Sequence, residues 1–263
     1  MDMGLGGKVA LITGGSDGIG KAAALSLSRE GVKVVICARR LDALESAAEE
    51  IRSDTGGEVM AVSADITSTS DIDSLFDKLM EAHGRIDILV NNAGTSAAGL
   101  FEDVSDETWK YDIELKLFGA IRCSRKAIPH MRAQGGGRII NITTPGGKAP
   151  APSSVPTSVS RAAGIALTKE MSKDYAKDNI LVNTICIGLI KSGQHERRWE
   201  RAREQDPSLT LEAFYDGMSS RVPLGRVGES IEAGDLITFL ASERAGYITG
   251  VSINIDGGTS PVT

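Results

Sequence analysis

Short β-branched apolar runs alternate with amphipathic stretches along nearly the whole chain, and this alternation limits the possible folds more than any other feature. The candidate strands are "KVALIT" (Lys8–Thr13), "KVVICA" (Lys33–Ala38), "EVMAVSAD" (Glu58–Asp65), "IDILVNNAG" (Ile86–Gly94), "GRIINIT" (Gly137–Thr143), "NILVNTICIG" (Asn179–Gly188) and "VSINID" (Val251–Asp256). Short apolar runs such as the first are what strands buried on both faces require. Between them, the pattern predicts helices over Gly18–Glu30, Leu41–Ser53, Ser70–His83, Asp106–Gln134 with Asp106 as N-cap, Thr157–Lys177 and Glu229–Ala241. Strands that alternate with helices pair in parallel through right-handed crossovers, which predicts an α/β, doubly wound sheet with helices on both faces. No repeat, low-complexity tract or linker interrupts the pattern, so residues 1–263 are expected to form one domain.

A chain of 263 residues can bury a sizeable core. Its net charge of −6 offers neither a nucleic-acid surface nor a basic membrane-binding face. The basic stretch "HERRWERAR" (His195–Arg203) reads as a solvated helix face. Cys37, Cys123 and Cys186 are odd in number and far apart, as buried reduced thiols would be, and no metal-ligand spacing occurs. No signal-like N-terminus and no membrane-length apolar run is present, so a soluble, cytoplasmic protein is expected.

"TGGSDGIG" (Thr13–Gly20) comes directly after the first strand and opens the first helix. Gly14, Gly18 and Gly20 allow a tight turn and a close backbone approach to a pyrophosphate, beside unpaired N–H donors at the helix N-terminus. Arg39 and Arg40 end the second strand, Asp65 comes after the third, and "NNAG" (Asn91–Gly94) ends the fourth, where the strand order of such a sheet reverses.

With "PLGRVGES" (Pro223–Ser230) and "YITGVSINIDGG" (Tyr247–Gly258), these motifs make the chain resemble the short-chain dehydrogenase/reductase family from Lys8 to Gly258. The resemblance implies a seven-stranded Rossmann-type sheet, a nicotinamide dinucleotide and a homotetramer or homodimer. It places the dinucleotide against Gly14, Ser16, Asp17, Gly18, Ile19, Gly20, Arg39, Arg40, Asp65, Ile66, Asn92, Ala93, Gly94, Arg161, Gly188 and Ile190. Arginine after the second strand favours NADP over NAD, because it attracts a 2′-phosphate that a carboxylate would repel. Asp17, inside the glycine loop, argues mildly the other way.

Members of the family usually work with an Asn, a Ser, a Tyr and a Lys. The register of "SRAAGIALTKEMS" sets the tyrosine position on Thr157 and the lysine position on Arg161. "GRIINITT" sets the serine position on Thr144, and "WKYDIELKLFG" sets the asparagine position on Lys116. Thr144 keeps a hydroxyl, and Arg161 keeps a charge but does not give up its proton. Thr157 is the serious change. A phenol ionises near a pKa of about 10, whereas an aliphatic alcohol is a far poorer acid and stops several ångströms short.

Lys116, near Arg161 in a dry cleft, is expected to have a lowered pKa and to act as a general acid or as an anchor for an enolate or carboxylate oxygen. The competing reading pairs it with Asp112 or Glu114. The polar segment 191–222 is expected to form a substrate lid, with Trp199, Phe214 and Tyr215 as an apolar cover and Arg197 and Arg198 facing an anionic substrate. Lys148 is either a cation beside the substrate or a surface charge, and His195 is a weaker candidate acid. Three functions fit these residues: an oxidoreductase acting on a small-molecule carbonyl or alcohol with an unusual proton donor, a non-redox enzyme that stabilises an enolate, or a silent nucleotide-binding sensor.

Overall fold

Parallel strands need long crossovers, and the segments between the apolar runs supply them. In the computed structural model, which describes residues 2–263, seven strands form one sheet in the order β3-β2-β1-β4-β5-β6-β7, all paired in parallel. They are β1 Val9–Thr13, β2 Lys33–Ala38, β3 Val59–Ser63, β4 Ile88–Asn91, β5 Gly137–Thr143, β6 Ile180–Ile187 and β7 Ser252–Ile255. The helices are α1 Gly18–Arg29, α2 Leu41–Thr55, α3 Thr69–His83, α4 Asp106–Ile113, α5 Gly119–Ala133, α6 Thr157–Asp174, α7 Gly193–Arg203, α8 Leu211–Ser219 and α9 Ser230–Ala241.

Alternation along each strand sorts the core into two layers. Ala10 and Ile12 of β1, with Val34 and Ile36 of β2, pack with Leu27 of α1, Leu44 of α2 and Ile237 of α9. Leu11, Val35, Leu89 and Ile139 belong to the other layer, with Leu75 of α3, Cys123 and Met131 of α5 and Met171 of α6. The three cysteines are free and buried, and burial raises the thiol pKa of Cys123 to about 12. β1 and β4 are neighbours, and strand order reverses between them. Their C-terminal ends therefore face a crevice between diverging connections.

Two local features depart from expectation, and both affect the site. Ser105 is the N-cap of α4: its hydroxyl accepts from Thr108 N–H at 3.3 Å, and Asp106 is the first helical residue. There a carboxylate complements the helix dipole. The long helix expected from Asp106 is also interrupted, because Glu114–Phe118 form a π-helical turn between α4 and α5. Such a turn takes in an extra residue and rotates the facing of the helical residues beyond it. Among the described residues, no helix is long and apolar enough to cross a membrane, and no cluster of His, Cys, Asp or Glu is arranged to hold a metal.

Candidate active site

β1 runs directly into the glycine turn, where Gly14 and Gly18 have φ of +69° and +53°. Gly20 lies behind that turn, and a Cβ there would stand 2.9 Å from the Gly14 carbonyl carbon. Asn92 braces the turn from the β4 side, its Nδ2 donating to the carbonyls of Thr13 at 2.9 Å and Gly14 at 3.0 Å. The Thr13 hydroxyl accepts from the amides of Asn92 and Ala93, both at 3.0 Å. A cleft of about 970 Å³ opens above, at the upper end of the range for small-molecule sites. Every residue expected to hold a dinucleotide lines it except Gly20, which shapes the turn from behind.

The residues present fit a dinucleotide that carries an extra phosphate. The turn brings bare backbone and the α1 N-terminus to the cleft wall, as a pyrophosphate requires. Arg39 and Arg40 are exposed where β2 ends, and Arg39 Nη1 donates to Tyr111 Oη at 3.3 Å. The Asp17 carboxylate turns onto its own helix, accepting from Gly18 N–H at 2.6 Å, and lies 3.8 Å from Arg197. Its charge is thereby partly countered. Asp65 commits one oxygen to Thr67, at 2.9 Å from the amide and 2.8 Å from the hydroxyl.

The start of α7 closes one side of the cleft. Gln194 Nε2 donates to Thr95 Oγ1 at 3.1 Å, and Gly193 abuts Asp17. Thr95, Ser192 and Gln194 line the cleft but do not stand out in the sequence, since only the folded chain brings 95 and 194 together. His195 also lines the cleft and is buried; burial, then Arg198, lowers its pKa. The predicted aromatic cover is built differently. Phe214 and Tyr215 meet edge-on at 5.9 Å in a small core with Met218 and Val227, and Trp199 Nε1 donates to the Leu209 carbonyl at 2.9 Å. These rings hold segment 191–222 together and do not line the cleft. Lys148 donates to Ser252 O at 2.6 Å and Asn254 Oδ1 at 2.7 Å, tying the turn after β5 to β7.

The four candidate catalytic positions converge at the inner end of the cleft. Thr144 and Arg161 line it, and Lys116 and Thr157 stand just behind it. Gly94 is the partition: a Cβ there would lie 2.8 Å from Arg161 Nη2 and 3.5 Å from Lys116 Cγ. Arg161 Nη1 donates to the Ile142 carbonyl of β5 at 2.6 Å, and burial lowers this guanidinium to about 10. Lys116 is 7% exposed and forms an ion pair with Asp112 Oδ1 one helical turn earlier. Its ammonium also donates to Thr157 Oγ1 at 3.0 Å, and Ala97 N–H donates to the same oxygen at 3.0 Å.

Burial first, then the Arg161 charge, pushes the Lys116 ammonium down to about 8, against the opposing pull of Asp112. The lowered pKa expected for Lys116 and the competing pairing with Asp112 thus occur together, with the ammonium facing α6. Ser160 carries no signal in the sequence, yet its hydroxyl donates to Asp112 Oδ2 at 2.6 Å. Its spacing of three from Thr157 puts both on one face of α6.

The family model for short chain dehydrogenase matches residues 8–203. The chain belongs to the short-chain dehydrogenase family. It is 36% identical over 259 residues to a 3-oxoacyl-[acyl-carrier-protein] reductase of Thermotoga maritima, covering 97% of this chain and 99% of that relative. It is 33% identical to the oxidoreductase UcpA of Escherichia coli, over 97% and 95% of the two chains. L-sorbose reductase from Gluconobacter frateurii, solved with NADPH and L-sorbose, superposes with a TM-score of 0.96 at 33% identity over 100% of both chains. Actinorhodin polyketide ketoreductase with NADPH gives 0.89 at 31% identity, over 97% and 98%. Within this short-chain dehydrogenase, none of the four tyrosines lines the cleft: Tyr111 meets Arg39, Tyr175 packs by Arg132, Tyr215 lies in the small α8 core and Tyr247 is fully exposed.

Proposed function

We propose that this short-chain dehydrogenase is an NADPH-dependent carbonyl reductase in which Thr157, supplied by Lys116, delivers the substrate proton. The observation that carries the reading is the bond from the buried Lys116 ammonium to Thr157 Oγ1. Arg39, Arg40 and the glycine turn, together with the NADPH-bound relatives, support the cofactor. When bound, the reduced nicotinamide supplies a hydride to the carbonyl carbon.

The chain's own residues handle the proton. Thr157 Oγ1 accepts from Lys116 and from the Ala97 amide, which polarises its O–H toward a third partner. As the substrate oxygen gains charge, the Thr157 proton passes to it and a Lys116 proton replaces the one lost. No free alkoxide forms on Thr157, and Lys116 ends neutral. Thr144, at the end of β5, hydrogen-bonds the same substrate oxygen. Arg161 would hold the nicotinamide ribose and keeps the cleft electropositive, which suits an anionic keto substrate. Residues 191–222 act as the lid of this one-domain enzyme. The exposed apolar side chains Phe118 and Val159, on the π turn and α6, suit a homotetramer or homodimer.

The test is consumption of NADPH, monitored by absorbance, across a panel of ketones and keto acids. Thr157→Val is expected to lower turnover by about 10²–10⁴-fold, and Thr157→Ser, which keeps the hydroxyl, to retain most of it. Equal loss in both variants would contradict a hydroxyl relay. Tight NADPH binding without consumption of any carbonyl would favour a binding protein over a reductase.

A further inference from the structure

We infer that Asp112, fixed by Ser160, is the positioning residue that keeps the Lys116 ammonium charged and aimed at Thr157, so that the proton source is one unit built from α4, the π turn and α6. The inference rests on the function just proposed. Asp112 is 1% exposed, and an unpaired carboxylate buried to that degree would be costly. Its two oxygens are divided. Oδ1 takes the Lys116 ammonium, and Oδ2 accepts from Ser160 Oγ at 2.6 Å. The Ser160 hydroxyl also lies 3.1 Å from the Thr157 carbonyl, which ties the carboxylate to the turn of α6 that carries Thr157.

The charges facing Lys116 are few. Asp112 comes from its own helix and Arg161 from α6, with the Cys186 thiol of β6 beyond the arginine. The remaining polar neighbours, the Thr157 hydroxyl and the Ala97 amide, are neutral. Two cations therefore share the site with one anion, and Lys116 and Asp112 are both buried. Without Asp112, desolvation and the like charge of Arg161 would both drive Lys116 to its neutral form, which has no proton to replace the one Thr157 gives up. In the transfer, an N–H bond of Lys116 breaks as the O–H bond of Thr157 is remade. Asp112 neither gains nor loses a proton.

The experiment tracks the Lys116 side chain directly. Protein labelled with ¹³C-lysine is titrated by NMR without cofactor, and the resonance absent from Lys116→Met identifies Lys116. Asp112→Asn, which keeps the shape and an acceptor for the ammonium, is expected to move the titration to lower pH by about one to three units. The alkaline limb of kcat in NADPH-dependent reduction is expected to move by the same amount, with KM little changed. Ser160→Ala, which leaves the charge in place, is expected to move the titration less while lowering kcat. A titration unchanged in Asp112→Asn, or a loss of KM with no pH displacement, would overturn the unit. A displaced titration in a protein that reduces no carbonyl would instead sink the proposed function and leave the unit standing.

Discussion

Lys116→Met is expected to lower carbonyl reduction by roughly 10²–10⁴-fold while leaving NADPH binding intact, because it removes the proton behind Thr157 and nothing that lines the cleft. The same substitution strands Asp112 as a buried, unpaired carboxylate. Removing one partner of a buried pair typically costs about 3–5 kcal/mol, so the variant is expected to unfold at markedly lower denaturant concentration. The two losses separate in a double variant. Adding Asp112→Asn to Lys116→Met removes the stranded charge and is expected to recover most of the stability and none of the turnover. Fluorescence titration with NADPH, steady-state kinetics and denaturant unfolding read the three quantities. Turnover recovered in the double variant would show that the single change acted through folding alone.

Arg39→Asp is expected to reverse the choice of dinucleotide. Arg39 stands exposed where β2 ends, on the rim of the cleft, with its guanidinium steadied by Tyr111. Losing a charge-assisted contact to the 2′-phosphate weakens NADPH by roughly ten- to a hundred-fold, and an aspartate adds repulsion. The new carboxylate also offers acceptors for the two ribose hydroxyls of NADH. Arg39→Ala with Arg40→Ala is expected to lose the NADPH preference without gaining affinity for NADH. Measured Kd values for both dinucleotides decide the matter. A preference that survives Arg39→Asp would place the phosphate elsewhere, beside Arg197 for instance.

The strands are legible in the sequence because each is a short apolar run bounded by polar turns, and β5, for example, spans Gly137–Thr143 as its residues predict. The glycine turn is legible because few residues tolerate its backbone, and the two arginines after β2 because they stand alone at a strand end. Lys116 is half legible. A spacing of four from Asp112 announces a pair on one helix face, but whether that face points to water or to α6 depends on the π turn at 114–118, which leaves no mark in the apolar period.

Thr157 is too short to act on its own. Lys116 supports it through a contact across 41 positions that no local pattern encodes. Ser160 and the Ala97 amide belong to the same class. Trp199, Phe214 and Tyr215 suggest a cover for substrate because they are large and lie in a polar segment. Met218 and Val227 take up both α8 rings in a core of their own, and the Trp199 indole is spent on the Leu209 carbonyl.

The pH dependence of kcat tests the central claim most directly. The donor must hold its proton to work, and burial together with the Arg161 charge sets Lys116 at about 8. Reduction is therefore expected to be flat below that pH and to fall about tenfold per unit above it, with the limb abolished in Lys116→Met. A limb that persists unchanged in Lys116→Met, or one that sits near the phenol range, would show that a group other than this buried lysine supplies the proton.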